Sequence, residues 1–170
     1  TIRFLKNVMG LWLLESCRRE WASAGADQSL DQLLARVGTP SEPSGLIHPD
    51  RPRFFNPRSM TRELTAALVE SRQPATDDPA VVTKIILDSL ALRYASVIAT
   101  LERLTSQAIE GIHIIGGGAQ NAYLNQATAN AAGRPVLAGP IEATAIGNLL
   151  VQAVACGTLA ALGDGRRAID

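Results

Sequence analysis

The sequence predicts an α/β fold, rich in helix and carrying short parallel strands. Three observations carry that prediction. Over most of the chain, apolar residues recur at three- and four-residue spacing, the mark of helices with one buried face. The last third holds two short apolar runs, residues 112–115 and 135–138, each too short for a helix and each followed by a helical stretch. A strand–helix–strand–helix order with short links requires parallel strands and right-handed crossovers.

Taken in order, Thr1 to Leu5 reads as a short extended segment. Residues 9–21 follow as a helix with Leu11, Leu14, Cys17, Arg18 and Trp21 on one side. A second helix, 29–37, opens on Ser29 as N-cap and stops at Gly38, with Leu30, Leu33, Leu34 and Val37 as its apolar face. Residues 38–57 hold Pro40, Pro43, Pro49, Pro52 and Pro57. Proline lacks the donor that ladders and helices use, so this stretch is an ordered surface excursion. A third helix covers about 61–71. Asp77-Asp78-Pro79 then caps the longest helix, about 80–107, whose stripe runs Val82, Ile86, Leu90, Tyr94, Val97, Leu101, Leu104. After the first strand come a helix over Ala122–Ala132, the second strand, and a helix over about 142–161.

A length of 170 residues suffices for one hydrophobic core, and 46% apolar with 19% charged residues is ordinary for a globular chain. The formal net charge of +0 argues against a nucleic-acid or anionic-membrane surface. Cys17 and Cys156 stand alone, with no CxxC or Cys/His cluster, so neither a metal site nor a disulfide is expected. They read as two small buried hydrophobes in a reducing cytoplasm. The opening residues do not form a signal peptide. The longest apolar stretch, 146–162, is broken by Gly147, Asn148, Gln152 and Gly157 and does not read as a membrane span. A cytoplasmic location is expected. A start at Thr1 and a stop just after Arg166-Arg167 read as a single partial domain, 1–170, cut from something longer.

The sharpest feature is Ile114-Ile115-Gly116-Gly117-Gly118-Ala119-Gln120-Asn121, a strand passing through three glycines into a helix. Glycines let a backbone approach a ligand closely, and a helix N-terminus offers unpaired N–H groups. Phosphate or the adenosine side of a nucleotide is the natural guest; the alternative is a tight turn with no ligand. A Walker A loop is excluded because no lysine is near. A dinucleotide fingerprint would need glycine where Asn121 stands, and an acid where the second strand ends in Ala138-Gly139-Pro140.

Three segments resemble the FGGY family of carbohydrate kinases, and within it the kinases of L-rhamnulose. They are Leu5-Lys6-Asn7-Val8-Met9-Gly10-Leu11-Trp12-Leu13-Leu14-Glu15, then Asp88-Ser89-Leu90-Ala91-Leu92-Arg93-Tyr94, then the glycine segment continuing to Gly133-Arg134-Pro135 and Gly139-Pro140-Ile141-Glu142-Ala143-Thr144-Ala145-Ile146-Gly147-Asn148. The resemblance spans nearly the whole chain; its last block is specific, and the Asp88 block belongs to the wider family. It implies a two-domain kinase of the actin/hexokinase/Hsp70 type, with a cleft between ribonuclease-H-like lobes and this chain as an incomplete C-terminal lobe. Such an enzyme moves the γ-phosphoryl of ATP, bound with Mg2+, to O1 of L-rhamnulose. On that basis Asn7 contacts the sugar, Gly117 contacts the nucleotide with Gly116 and Gly118 supporting it, and Glu15 stands where a family glutamine touches ATP. A carboxylate there repels phosphates unless magnesium intervenes.

The residues leave other readings open. Asn7 suits a polyol hydroxyl but also a helix cap. Trp12 and Trp21 read as core before sugar stacking, and His48 and His113 as structural. Glu142 and Thr144 read as caps of the last helix before ligand contacts. None of Asp27, Asp31, Asp50, Asp77, Asp78 and Asp88 matches the family's catalytic aspartate, which is expected upstream of this segment, so no catalytic residue is assigned here. No metal ligand is assigned either. With the N-terminal lobe and the first strands of this lobe absent, the chain alone should be inactive. It should also expose apolar surface beside residues 112–115, an edge that promotes self-association. The rivals are another ketose kinase of the family, for xylulose or fuculose, and a non-catalytic nucleotide-binding or interaction module.

Overall fold

The structure, a computed structural model, describes residues 4–39 and 43–167. Thr1, Ile2 and Arg3 of the expected first extended segment, and Pro40 of the excursion, lie outside the described residues. Phe4 and Leu5 belong to no strand. The chain divides into two compact units, Thr1–Ile112 with Asn121–Val136, and His113–Gln120 with Leu137–Asp170.

The first unit is helical. Its elements are α1 (Trp12–Ser23), α2 (Leu30–Val37), α3 (Met60–Glu70), α4 (Pro79–Thr105) and α5 (Ala122–Ala132). Helix α4 is the spine: α5 packs along it most extensively, and α2 and α1 pack on it as well, with α1 also against α3. Sequence periodicity assigns α4 one buried stripe. Instead, Val82 through Ala91 are buried on every side, because different helices cover different faces of the first turns. The stripe fails at its far end, where Leu104 is exposed.

Local chemistry sets the boundaries. Ser29 and Gln32 form a reciprocal capping box on α2, and Gly38 ends it at φ +75°. Asp78 caps α4 through the Ala80 N–H at 2.8 Å, with Pro79 at the first helical position. Helix α1 starts at Trp12 rather than residue 9, so Asn7 lies outside it and caps nothing. Leu13, Leu14 and Cys17 of α1 enter the core with Phe54, Met60, Leu64, Ile86, Leu90 and Tyr123. Trp21 packs against that core, but Trp12 corrects the sequence reading: it is 42% exposed, with the Arg19 guanidinium 4.6 Å from its ring centre.

The described residues of the proline-rich excursion, 38–39 and 43–57, are ordered, as its composition implied. It buries Phe54 in a single 3-10 turn, Pro52–Phe54. The Gln73 amide pairs with both the N–H and C=O of Leu46 at 2.7 Å, and Ser89 Oγ accepts the Ile47 N–H at 3.0 Å.

Two short strands, β1 (Ile112–Ile114) and β2 (Val136–Ala138), form the only sheet among the described residues. The Ile112 N–H bonds Pro135 O at 2.9 Å and the Gly139 N–H bonds Ile114 O at 2.8 Å. Both partners advance together, which makes the pair parallel as predicted.

The second unit holds α6 (Ala143–Ala155) and α7 (Leu162–Arg167), which pack on each other. The expected helix to residue 161 stops six residues early, because Gly157 turns back at φ +73° and the Thr158 and Leu159 N–H groups close on Ala153 O. Helix α7 escaped the sequence reading; Asp164 Oδ2 accepts the Ala161 N–H at its start. No residue of α6 is buried, and Ile115, Leu137, Ile141, Leu149 and Val151 are all exposed. Cys17 is buried but Cys156 is exposed, so the expectation of two buried cysteines holds only for Cys17.

Candidate functional site

The glycine segment lies in the second unit. Beyond β1 the chain bends at Gly116, whose φ of +79° demands glycine, and winds through one 3-10 turn, Gly117–Gln120. The Ala119 N–H closes on Gly116 O at 3.0 Å, and the Gly116 N–H reaches Pro140 O at 3.3 Å. A methyl group added at Gly118 would rest 3.8 Å from Ile114 Cγ2, an ordinary contact. At Gly117 it would meet nothing within 4 Å. The exposed Gly117 backbone therefore faces open space, whereas Gly116 serves the turn itself. Three glycines in a row have three different environments.

Asn121 lies in the first unit and caps α5. It is 2% exposed; Oδ1 caps the Leu124 N–H at 2.9 Å, while Nδ2 has no hydrogen-bond partner. A buried amide donor without a protein partner is costly.

Tyr123, two residues on, anchors the same turn of α5. Its hydroxyl donates to Asp88 Oδ1 at 2.7 Å and accepts from Lys84 Nζ at 3.1 Å, and Lys84 meets Asp88 Oδ2 at 2.6 Å. Burial works against the Lys84 charge, but the Asp88 and Tyr123 bonds outweigh it and hold the ammonium above its ordinary range. Burial, then the Asp88 bond, push the Tyr123 phenol upward. These three side chains bond one another and tie α4 to α5.

Asn7 and Glu15 also lie in the first unit. Asn7 sits in irregular backbone ahead of α1 and is exposed. Glu15 is exposed on α1 and grips Arg18 through both carboxylate oxygens, at 2.9 and 3.1 Å. Two residues beyond Asn7, the Met9 N–H donates to Asp50 Oδ1 at 2.8 Å, and Arg93 Nε donates to Asp50 Oδ2 at 2.7 Å. Burial raises the Asp50 carboxyl, yet the Met9 bond and then Arg93 more than reverse this and hold it below the usual carboxylate range.

His48 and His113 are exposed. Glu142 occupies the N-cap position of α6 without a side-chain cap bond, so the capping expectation fails for it. Among the described residues no three His, Cys, Asp or Glu side chains gather as a metal site requires, and no helix is long and apolar enough to cross a membrane.

The chain is similar to curated rhamnulokinases. It is 43% identical over 157 residues to that of Bacteroides thetaiotaomicron, covering 92% of this chain and 32% of the relative. It is 42% identical over 156 residues to that of Bacillus subtilis, covering 91% and 31%. It is 40% identical over 167 residues to that of Klebsiella pneumoniae, covering 98% and 33%. The chain thus spans about a third of the length of the curated relatives it matches. The model of the FGGY family of carbohydrate kinases, C-terminal domain, matches residues 1–156. With five helices around one core and a short parallel sheet leading into the glycine turn, the chain is an incomplete α/β, ribonuclease-H-like lobe and belongs to the C-terminal domain of the FGGY carbohydrate kinases.

Proposed function

We propose that this chain is the nucleotide-binding C-terminal part of a cytoplasmic kinase that phosphorylates L-rhamnulose at O1 with ATP. The observation that carries the nucleotide half is the exposed Gly117 backbone with open space where a side chain would stand. The names of the relatives favour rhamnulose over xylulose or fuculose. In this reading Gly117 lies against the nucleotide, with Gly116 and Gly118 shaping the turn. Asn7 bonds a ketose hydroxyl. Glu15 meets the nucleotide as a neutralised pair with Arg18. Magnesium arrives with the phosphates as part of the substrate.

The chemistry follows from placement. Phosphoryl transfer asks the protein for alignment and charge neutralisation more than for covalent steps. The base that takes the hydroxyl proton lies, in this proposal, on the part of the protein preceding this chain, and two lobes close over ATP and sugar. The exposed apolar residues Ile115, Leu137 and Leu149 are where further strands of the same lobe would pack. A chain lacking them would self-associate through that edge.

The test is Gly117→Val in the full-length protein, assayed for ATP-dependent phosphorylation of L-rhamnulose, xylulose and fuculose. A Cβ at this position would meet nothing within 4 Å, so a clash with the protein is not expected to drive the effect. The substitution should nevertheless raise the KM for ATP about ten-fold or more, as filling a contact surface does, while the ketose KM stays within about two-fold. An unchanged ATP KM would refute the seat. Turnover of a different ketose would refute the substrate alone.

A further inference from the structure

The backbone around Asn7 belongs to no helix or strand, yet it is held at Met9, whose side chain packs on the core and whose N–H is bonded from outside. The Asp50 carboxylate takes the Met9 N–H on one oxygen and Arg93 of α4 on the other. These partners lie 41 and 43 residues away in sequence. Side-chain exposure is 16% for Asp50 and 22% for Arg93, low enough that water competes weakly for either bond. Nor is Asp50 on a loose loop. Three residues earlier Ile47 is bonded to Ser89 of α4, and Leu46 is fastened on both sides by Gln73. Asp50 therefore transmits the position of α4 to Met9.

We propose that Asp50 is a positioning residue for the ketose: by clamping Met9 to α4 it sets where the neighbouring Asn7 amide stands. The inference rests on the reading of Asn7 as the sugar contact. An amide that must meet a hydroxyl at hydrogen-bond distance loses its use when displaced by about 1 Å, a misplacement that can cost about 100-fold. Asn7 itself is exposed and makes no hydrogen bond to a described residue, so its place depends on the backbone that carries it. The proline-rich excursion thereby acquires a role, delivering one carboxylate to the foot of that segment.

The experiment uses the full-length protein, with Asp50→Ala, Asp50→Asn and Asn7→Ala compared by steady-state kinetics and by hydrogen exchange over residues 5–11. Asp50→Ala should raise the ketose KM about ten-fold with the ATP KM within about two-fold, a split that marks lost substrate placement. Exchange over residues 5–11 should rise with it. Asp50→Asn keeps an acceptor for the Met9 N–H and should recover most of the wild-type ketose KM. If Asn7→Ala raises the ketose KM but Asp50→Ala does not, the positioning role is overturned and the sugar reading stands. If neither variant moves it, both fall. If Asp50→Ala weakens both substrates equally along with thermal stability, Asp50 is only a structural tie, and the proposal is overturned. Should Asp50→Ala not fold, Arg93→Gln severs the other end of the clamp. The same selective rise supports the proposal and its absence defeats it.

Discussion

Removing the Glu20 carboxylate should loosen the start of α3 in a pH-dependent way. Glu20 lies near the end of α1 and accepts Ser59 Oγ at 2.9 Å, Thr61 Oγ1 at 2.7 Å, the Thr61 N–H at 3.4 Å and the Met60 N–H by a short bond. Ser59 is the N-cap of α3, so one side chain gathers donors of the first turn and places a negative charge at the positive end of that helix. Glu20→Ala leaves those donors to water or to nothing. Loss of a capping interaction and of a charge-assisted bond sums to about 2 kcal/mol. Glu20→Gln keeps an acceptor and loses the charge, at about 1 kcal/mol. Read as hydrogen exchange of the first-turn amides of α3 in the full-length protein, these become rate increases of about 30-fold and about 5-fold.

The pH dependence fixes the cause. Burial raises the Glu20 carboxyl, but the bonds from Thr61, Met60 and Ser59 outweigh it and leave the group below its ordinary value of 4.5. The folded protein thus binds this proton less readily than the unfolded chain. The stabilisation is fully present above 4.5 and disappears as the pH falls through the lower, folded-state value. The gap between wild type and Glu20→Gln should therefore close in acid. Equal exchange rates at neutral pH, or a gap that widens on acidification, would refute the reasoning.

Two other consequences are open to direct measurement. Burial, with the Glu20 charge second, pushes the Cys17 thiol up to about 12; alkylation at pH 8 followed by peptide mass spectrometry should modify the exposed Cys156 and leave Cys17 untouched until the protein unfolds. Lys84→Met strands the Asp88 carboxylate in a buried site and should destabilise by about 3–5 kcal/mol, whereas Tyr123→Phe removes one hydroxyl and should cost about 1–2 kcal/mol, both read by denaturant titration followed at helix signal.

Much of this was legible in the sequence, and the failures have physical reasons. Ser29, Gly38 and Asp78-Pro79 announce helix ends because capping is a local interaction written in adjacent residues. Periodicity located α4 but not its all-round burial, since which neighbours cover a helix is decided by partners far along the chain. Trp12 misled for the opposite reason: an aromatic ring on an amphipathic helix reads as core, yet here it stays at the surface beside Arg19. The Asp50 clamp could not be read at all. Its ends lie more than 40 residues apart, and a lone aspartate among prolines looks like any turn residue. Gly117 was legible as part of a motif, but only coordinates separate it from Gly116, whose backbone angle would require glycine with or without a ligand.

The two units differ in how much apolar surface they bury, and the proposed contacts fall on different sides of that division. Asn7 and Glu15 belong to the unit whose core includes Phe54, Leu64, Ile86 and Leu90. Gly116, Gly117 and Gly118 belong to the unit in which α6 buries no residue and Leu149 and Val151 are more than half exposed. Covering each such side chain is worth about 1.5–3 kcal/mol, a stabilisation this unit leaves unused. A turn that must hold backbone amides to a nucleotide cannot be stiffer than the layer beneath it. The glycine turn should therefore gain its rigidity from whatever packs on that apolar face, and nucleotide affinity should respond to substitutions there more strongly than to equal changes around α1.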